Sequence, residues 1–120
     1  MAGTALLQLA RTWIAAFNAH DLDALLALYH GNARHFSPKL LARRPETHGL
    51  VQGKEALRDW WADAFQRLPS LHYELINLIA DGEAVFMEYV RHVDGEDDLR
   101  VGEVLEVRHG LITASRVYHG

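Results

Sequence analysis

Three side chains on two neighbouring segments could hold or transfer a proton. Glu103 falls on the otherwise apolar side of an alternating segment, so its carboxyl is predicted to point into the protein. If segments 85–93 and 99–107 form a hairpin symmetric about residue 96, Tyr89 lies opposite Glu103 and Arg91 lies one diagonal away. Burial raises the pKa of a carboxyl, which can then serve as a general acid or base beside a ligand. We therefore predict Glu103, Tyr89 and Arg91 as catalytic residues, with a purely structural Glu103–Arg91 ion pair as the alternative.

Aromatic side chains dominate the remaining candidates for a ligand pocket. Ser37 could hydrogen-bond a ligand, although a serine before a proline is equally a turn residue. His35 and His119 could carry protons, because histidine titrates near neutrality. Core packing is the alternative for the aromatic candidates, and the adjacent Trp60 and Trp61 are not both expected to point inward. The predicted pocket residues are Trp13, Phe17, Tyr29, His35, Ser37, Trp60, Phe65, Met87, Leu105, Val117 and His119.

The composition limits the chemistry that these residues can be part of. The chain has no cysteine, so thiol catalysis, disulfides and thiolate zinc sites are excluded. Its eight histidines show neither the helical pair one turn apart nor the compact His-x-His pattern of zinc sites. We accordingly predict no metal and no cofactor.

Charge and hydropathy limit the classes of binding partner that the chain is expected to have. The chain has 12 basic and 16 acidic side chains, a net charge of −4, which gives no reason to expect a nucleic-acid partner. No apolar run reaches the ~18 residues of a membrane helix and no signal-peptide pattern is seen, so a cytoplasmic protein without a membrane partner is expected. The basic residues Arg34, Lys39, Arg43 and Arg44 could select an acidic ligand or could belong to a solvated loop. A length of 120 residues suits one domain, 1–120.

Helical periodicity predicts three helices in the first part of the chain. The first spans 4–18 with Thr4 as its N-cap, and the second begins after an Asp21 cap and ends near Gly31. The third spans 53–68. Between the second and third helices, a brief strand over 32–37 and a long loop over 38–52 are predicted.

After residue 71 the pattern changes to an alternation of apolar and polar residues. Strands are predicted over 71–79, 85–93, 99–108 and 111–118, with turns at Asp81-Gly82 and over 94–98. This order predicts the α+β class, with three N-terminal helices packed on a curved, mostly antiparallel sheet. Because several strands are apolar on both faces, the outer sheet face, which includes Glu88, is predicted to form a homodimer interface.

Three motifs resemble the nuclear transport factor 2-like superfamily, and in particular its SnoaL-like group of polyketide cyclase and ketosteroid isomerase type. Asn18, Asp21 and Asp23 match an N-x-x-D-x-D pattern between the first two helices. Residues 49–57 match a G-x-x-x-G-K-x-A-L pattern, and 110–118 resemble the closing strand with its Arg and Tyr. The resemblance covers nearly the whole chain and implies a cone-shaped α+β barrel. It leaves the function open, because this fold hosts isomerases, cyclases, epoxide hydrolases, dehydratases and non-catalytic binders.

The site residues of two such enzyme groups are not retained. The resemblance to steroid isomerases places Trp13, Ser37 and Glu103 where those enzymes have a Tyr and two Asp residues, and serine is no carboxylate base. The resemblance to limonene-type epoxide hydrolases places Tyr89, Arg91 and Val117 where those enzymes have an Arg–Asp pair and a further Asp. We therefore predict a pocket for an apolar or aromatic small molecule. Its chemistry would be cofactor-independent proton transfer of isomerase, cyclase or dehydratase type with Glu103 as acid or base; the alternative is a non-catalytic dimeric binding or association module.

Overall fold

A computed structural model describes residues 2–119 of the chain, and this part contains four α-helices and six strands. In chain order they are α1 (Ala2–Asn18), α2 (Leu22–Leu26), β1 (Tyr29–Phe36), α3 (Pro38–Arg43), a 3-10 turn (Pro45–Thr47), β2 (Leu50–Gln52), α4 (Lys54–Arg67), β3 (His72–Asp81), β4 (Ala84–His92), β5 (Leu99–Arg108) and β6 (Leu111–His119).

The six strands form one curved, unclosed sheet in the order β2-β1-β6-β5-β4-β3. The pairing is antiparallel throughout except between β1 and β6, which are parallel. Helix α1 packs on β3 and β4, and α4 packs on β1 and β2. The predicted α+β cone with a mostly antiparallel sheet is thereby confirmed.

Local signals explain where the first two helices form. Along α1, a stripe of side chains at helical spacing is buried, with Ala10, Trp13 and Phe17 almost free of solvent contact. Asp21 caps α2 as predicted, since its carboxylate accepts a hydrogen bond of 3.0 Å from the backbone N–H of Ala24. Thr4, however, lies inside α1 and is not its cap.

The boundaries around the first strand differ from the prediction. Helix α2 already ends at Leu26, and Gly31 lies inside β1 rather than closing the helix. β1 starts at Tyr29, well before the predicted 32–37, because it pairs with the distant strand β6 in parallel. Such a pairing between chain ends leaves no periodic trace in the local sequence.

The segment 38–52, predicted as a loop, is largely regular. Ser37 caps α3: its side-chain oxygen accepts a 3.2 Å hydrogen bond from the N–H of Lys39, and Pro38 occupies the first turn. The Leu40 side chain of this short helix is fully buried in the core. After the 3-10 turn, β2 pairs with β1 at the edge of the sheet. The segment thus contributes a fourth helix and an edge strand where a loop is predicted.

The register of the β4–β5 hairpin also differs from the prediction. Met87, not Tyr89, lies opposite Glu103, and Tyr89 lies opposite Val101. The hairpin is therefore centred on Gly95, which adopts a positive φ of 83° that glycine tolerates. The shift places Tyr89 one diagonal away from Glu103.

The convex outer face of the sheet combines ion pairs with exposed apolar side chains. Glu88 lies there as predicted and pairs with Arg100 at 2.6 Å. Ile76, Ile79 and Tyr118 are about half exposed, at 46%, 55% and 52%. The concave face lies against the helices and carries the candidate site.

Candidate functional site

A cavity of about 340 Å³ lies between the concave face of the sheet and helices α1, α3 and α4. This volume falls at the small end of the ~300–1,000 Å³ that is usual for small-molecule sites. The cavity is lined by aromatic side chains, by the predicted acid Glu103, and by charged residues around one end.

One wall of the cavity is a row of stacked aromatic rings. Trp13 stacks on Phe17 with ring centroids 5.1 Å apart, Phe17 on Tyr73 at 4.0 Å, and Tyr73 on Tyr89 at 4.0 Å. The four rings come from α1, β3 and β4, which the helix-on-sheet packing brings together. Flat apolar molecules are the ligands that such a wall favours.

Helix α4 contributes both of its tryptophans to the lining, contrary to the expectation that only one points inward. Trp60 and Trp61 are both buried and both line the cavity. Adjacent helical side chains diverge by about 100°, and this divergence does not prevent both rings from lining the same cavity. Trp61 also lies against His35, with ring centroids 5.2 Å apart.

Glu103 is a fully buried carboxyl in the wall of this cavity. It is 1% exposed, and Tyr89 donates a 2.7 Å hydrogen bond from Oη to Glu103 Oε1. The second oxygen, Oε2, is buried and has no hydrogen-bond partner among residues 2–119. Burial raises the pKa of Glu103 to about 8, against the smaller lowering by the Tyr89 hydrogen bond. At pH 7 the carboxyl is therefore mostly protonated and can donate a hydrogen bond.

Arg91 does not form the predicted cluster with Glu103. Its guanidinium pairs instead with Glu96 in the β4–β5 turn, with Nη1 and Oε1 2.7 Å apart. This pair holds the pKa of Glu96 below its ordinary value. Because Arg91 pairs with Glu96, the Glu103–Arg91 ion pair, the structural alternative for Glu103, is not present. Arg91 and Glu96 both line the cavity.

The charged end of the cavity carries more cations than anions. Arg43 and Arg67 share the carboxylate of Asp63, at 3.3 Å and 2.8 Å, and Lys39 lines the cavity near them. Of the predicted basic cluster, Lys39 and Arg43 reach the cavity, whereas Arg34 and Arg44 do not line it.

A second polar group lies deeper, on β1 and β6. His35 is buried and lines the cavity, and its Nδ1 is 2.6 Å from Ser115 Oγ. Ser115 in turn accepts a hydrogen bond from Tyr29, which accepts one from Trp13. Burial lowers the pKa of His35 to about 4, so the ring is neutral at pH 7.

The predicted pocket residues divide into two sets. The cavity lining includes Trp13, Phe17, His35, Ser37, Trp60, Val117 and His119, together with Glu103, Tyr89 and Arg91. The others pack in the hydrophobic core behind it: Tyr29, Phe65, Met87 and Leu105. The sequence analysis missed Trp61, Tyr73, Glu96 and the buried Ser115. Tyr73 had a detectable signal, since it alternates with polar neighbours on β3, whereas nothing local marks Ser115.

Within residues 2–119, no three His, Asp or Glu side chains are placed to hold a metal ion. None of the helices described has the length and apolar character needed to cross a bilayer.

The curved sheet with helices on its concave face defines the fold of a nuclear transport factor 2-like protein. Within that superfamily the chain belongs to the SnoaL-like domain family, whose sequence model matches residues 10–115. The resemblance inferred from the three sequence motifs is confirmed.

Solved structures support this assignment. The chain is similar to a SnoaL-like protein of unknown function from Burkholderia thailandensis, with 28% identity, a TM-score of 0.87, and 98% and 96% of the two chains covered. It shares its fold with a proposed ketosteroid isomerase from Kribbella flavida, with 19% identity, a TM-score of 0.80, and 98% of this chain and 79% of the other covered. The same fold is found in a proposed polyketide cyclase from Sinorhizobium meliloti, with 16% identity, a TM-score of 0.79, and 92% of this chain and 94% of the other covered. No curated protein matches the chain significantly in sequence.

Proposed function

We propose that this SnoaL-like protein binds a flat, apolar or aromatic small molecule that carries a carbonyl oxygen. The observation that carries the proposal is Glu103: a buried, mostly protonated carboxyl in the wall of an aromatic cavity, with one oxygen that has no partner among residues 2–119. An unpartnered buried polar atom is costly, and a ligand or a catalytic role is a physical reason for its presence. The terminal torsion of a glutamic acid is soft, so Oε2 can turn towards a ligand oxygen.

The chemistry that fits this geometry is polarisation of a carbonyl group. A protonated Glu103 would donate a hydrogen bond to the carbonyl oxygen and so stabilise the negative charge that develops there when a neighbouring C–H proton leaves to water. This step is common to isomerase, cyclase and dehydratase reactions. Since the pKa of Glu103 is about 8, its role at neutral pH would be that of an acid, and it would become a base only in more alkaline solution.

A matched pair of probes tests the binding. We expect 2-acetylnaphthalene to quench the fluorescence of the cavity tryptophans and to raise the melting temperature, and 2-isopropylnaphthalene, of similar shape but without the oxygen, to bind several-fold more weakly. Glu103→Gln keeps a donor and should retain most of the preference, whereas Glu103→Leu should abolish it. Glu83→Gln, between β3 and β4 and outside the cavity lining, serves as the control. Absence of binding by both probes would refute the pocket proposal.

The second candidate is a non-catalytic, dimeric binding module. Two observations favour it: Ser37 stands where steroid isomerases have a carboxylate base, and exposed Ile76, Ile79 and Tyr118 on the outer face suit a homodimer interface. Deuterium exchange into the methyl group of bound 2-acetylnaphthalene separates the two candidates. Exchange that the parent accelerates and Glu103→Leu does not would support an enzyme, and binding without accelerated exchange would support the module.

A further inference from the structure

Four buried side chains form a continuous line of hydrogen bonds that ends at the cavity. Trp13 donates from Nε1 to Tyr29 Oη at 3.0 Å, and Tyr29 donates from Oη to Ser115 Oγ at 3.1 Å. Ser115 Oγ lies 2.6 Å from His35 Nδ1. All four residues are at most 3% exposed, so water does not compete for these bonds.

The direction of this line is set at its first member. An indole N–H can only donate, so Tyr29 accepts there and uses its single proton on Ser115. Ser115 receives that proton and has its own hydroxyl proton left, for which His35 Nδ1 is the acceptor at hand. The reverse arrangement, with the proton on His35 Nδ1, would leave the buried Ser115 proton without a partner in this line, which is unfavourable.

The tautomer of His35 follows from this direction. With Nδ1 accepting, the proton of the neutral ring must be on Nε2. Burial keeps the ring neutral, and the Trp61 ring packs against it. Since His35 lines the cavity and Nδ1 is bonded to Ser115, Nε2–H is the polar group that the ring can offer to a ligand.

We propose that His35 is a second ligand-binding residue, which donates a hydrogen bond from Nε2 to an acceptor oxygen of the bound molecule. This proposal rests on the proposed function and specifies its ligand class. β6 separates β1, which carries His35, from β5, which carries Glu103, so their backbones are about 10 Å apart. The ligand would therefore be an aromatic compound with acceptor oxygens at two positions, one for each donor.

The tautomer can be measured without any ligand. Long-range ¹H–¹⁵N NMR spectra of histidine-labelled protein distinguish the two neutral forms and the charged ring, and the His35 signals are assigned as those missing from His35→Gln. We expect the neutral Nε2–H form, with no titration between pH 5 and 8. A ring protonated on Nδ1, or a charged ring at pH 7, would overturn the proposal.

Ser115 acts in this scheme as a positioning residue, and its removal gives a distinct signature. Ser115→Ala should convert His35 into a mixture of both neutral tautomers, because the acceptor role of Nδ1 is no longer imposed. Thr113→Val removes a hydroxyl from the same strand that instead bonds the carbonyl of Glu106, and it should leave the tautomer unchanged. An unchanged tautomer in Ser115→Ala would show that Ser115 does not impose it.

A second pair of probes tests the ligand class. We expect 2,6-diacetylnaphthalene to bind the parent about three- to tenfold more tightly than 2-acetylnaphthalene. One added hydrogen bond, from His35 Nε2 to the second carbonyl oxygen, accounts for a gain in affinity of this size. His35→Phe should remove this advantage, and His35→Gln, whose amide can donate from a similar place, should keep much of it. Equal affinities in the parent, or an advantage that survives His35→Phe, would refute the role of His35. If no naphthalene probe binds, the proposed function fails instead, and the tautomer measurement still decides what His35 presents.

Discussion

The burial of Glu103 makes a signed prediction for stability against pH. Burial raises the pKa of this carboxyl to about 8 in the fold, from an ordinary value of 4.5. Below pH 4.5 the group is protonated in both the folded and the unfolded chain. Between 4.5 and 8 the unfolded chain ionises while the folded chain keeps its proton, so the free energy of unfolding falls as the pH rises through this window.

The size of the effect follows from the same two pKa values. Each pH unit in the window costs about 1.36 kcal/mol, so Glu103 lowers the free energy of unfolding by about 3 kcal/mol at pH 7 relative to pH 4.5. Glutamine does not ionise, and its Oε1 can still accept the hydrogen bond from Tyr89. Glu103→Gln should therefore become more stable relative to the parent by about 3 kcal/mol between pH 4.5 and 7, whatever constant offset the added amide brings.

Urea unfolding followed by tryptophan fluorescence measures this difference. The protein concentration is held fixed between samples, because any dimerisation would couple stability to it. Glu83→Gln is the control: it removes a carboxylate between β3 and β4, but from an exposed ion pair with Arg108 that is worth about 0–1 kcal/mol. A difference between Glu103→Gln and the parent that stays flat from pH 4.5 to 8 would refute the reasoning, since it would mean that Glu103 is ionised in the fold.

Four further outcomes are expected. Tyr89→Phe removes the hydrogen bond that lowers the pKa of Glu103, so the carboxyl should titrate above pH 8 in ¹³C NMR; an unchanged midpoint would contradict this. His35→Gln should gain about 3 kcal/mol on the parent as the pH falls from 6.5 to 4, because the parent must then keep a buried histidine neutral; equal acid unfolding would contradict it. Gly102→Ala brings a Cβ within 2.8 Å of the Phe86 ring and should cost about 1 kcal/mol in urea unfolding, a penalty that should vanish in a Phe86→Ala background. Sedimentation at micromolar concentration should return a dimer, and a monomer would refute the outer-face interface.

Elements with strong local signals were predictable from the sequence. Alternation and turn residues located the four long strands, and an apolar stripe located α4 within a residue of its ends. Alternation also placed Glu103 on the inner face, because side-chain direction in a strand depends only on parity. The sequence predicts Ser37 either as a pocket residue or as a turn residue before Pro38, although serine followed by proline is equally the start of a helix. The helix forms here because it buries the Leu40 side chain in the core, and such a tertiary contact cannot be predicted from the local sequence.

The partners of the site residues could not be predicted from local pattern. The hairpin centre depends on the backbone of Gly95, and a shift of one residue in that centre moved Tyr89 from opposite Glu103 to a diagonal position. Arg91 forms its ion pair with Glu96, which lies in a turn that the sequence predicts to be solvent-exposed. The contact between His35 and Ser115 joins residues 80 apart in the chain and exists only because β1 and β6 pair in parallel.

Two of the polar groups in the cavity wall, Glu103 and His35, are neutral at pH 7, and burial is the cause in each case. It raises the pKa of Glu103 and lowers that of His35, so an acid keeps its proton and a base stays uncharged. The cationic side chains lie at the charged end of the cavity. Asp63 forms ion pairs with Arg43 and Arg67, and Glu96 forms one with Arg91. In the proposed function these two neutral groups would act as hydrogen-bond donors, which favours a carbonyl ligand that brings no charge into an aromatic interior, where an unpaired charge would be costly. The same donors strengthen their hydrogen bonds as negative charge develops on that oxygen. Under the proposed function such a site would either bind a ligand passively or promote its enolisation, and the difference depends on whether a C–H bond of the ligand lies where its proton can leave.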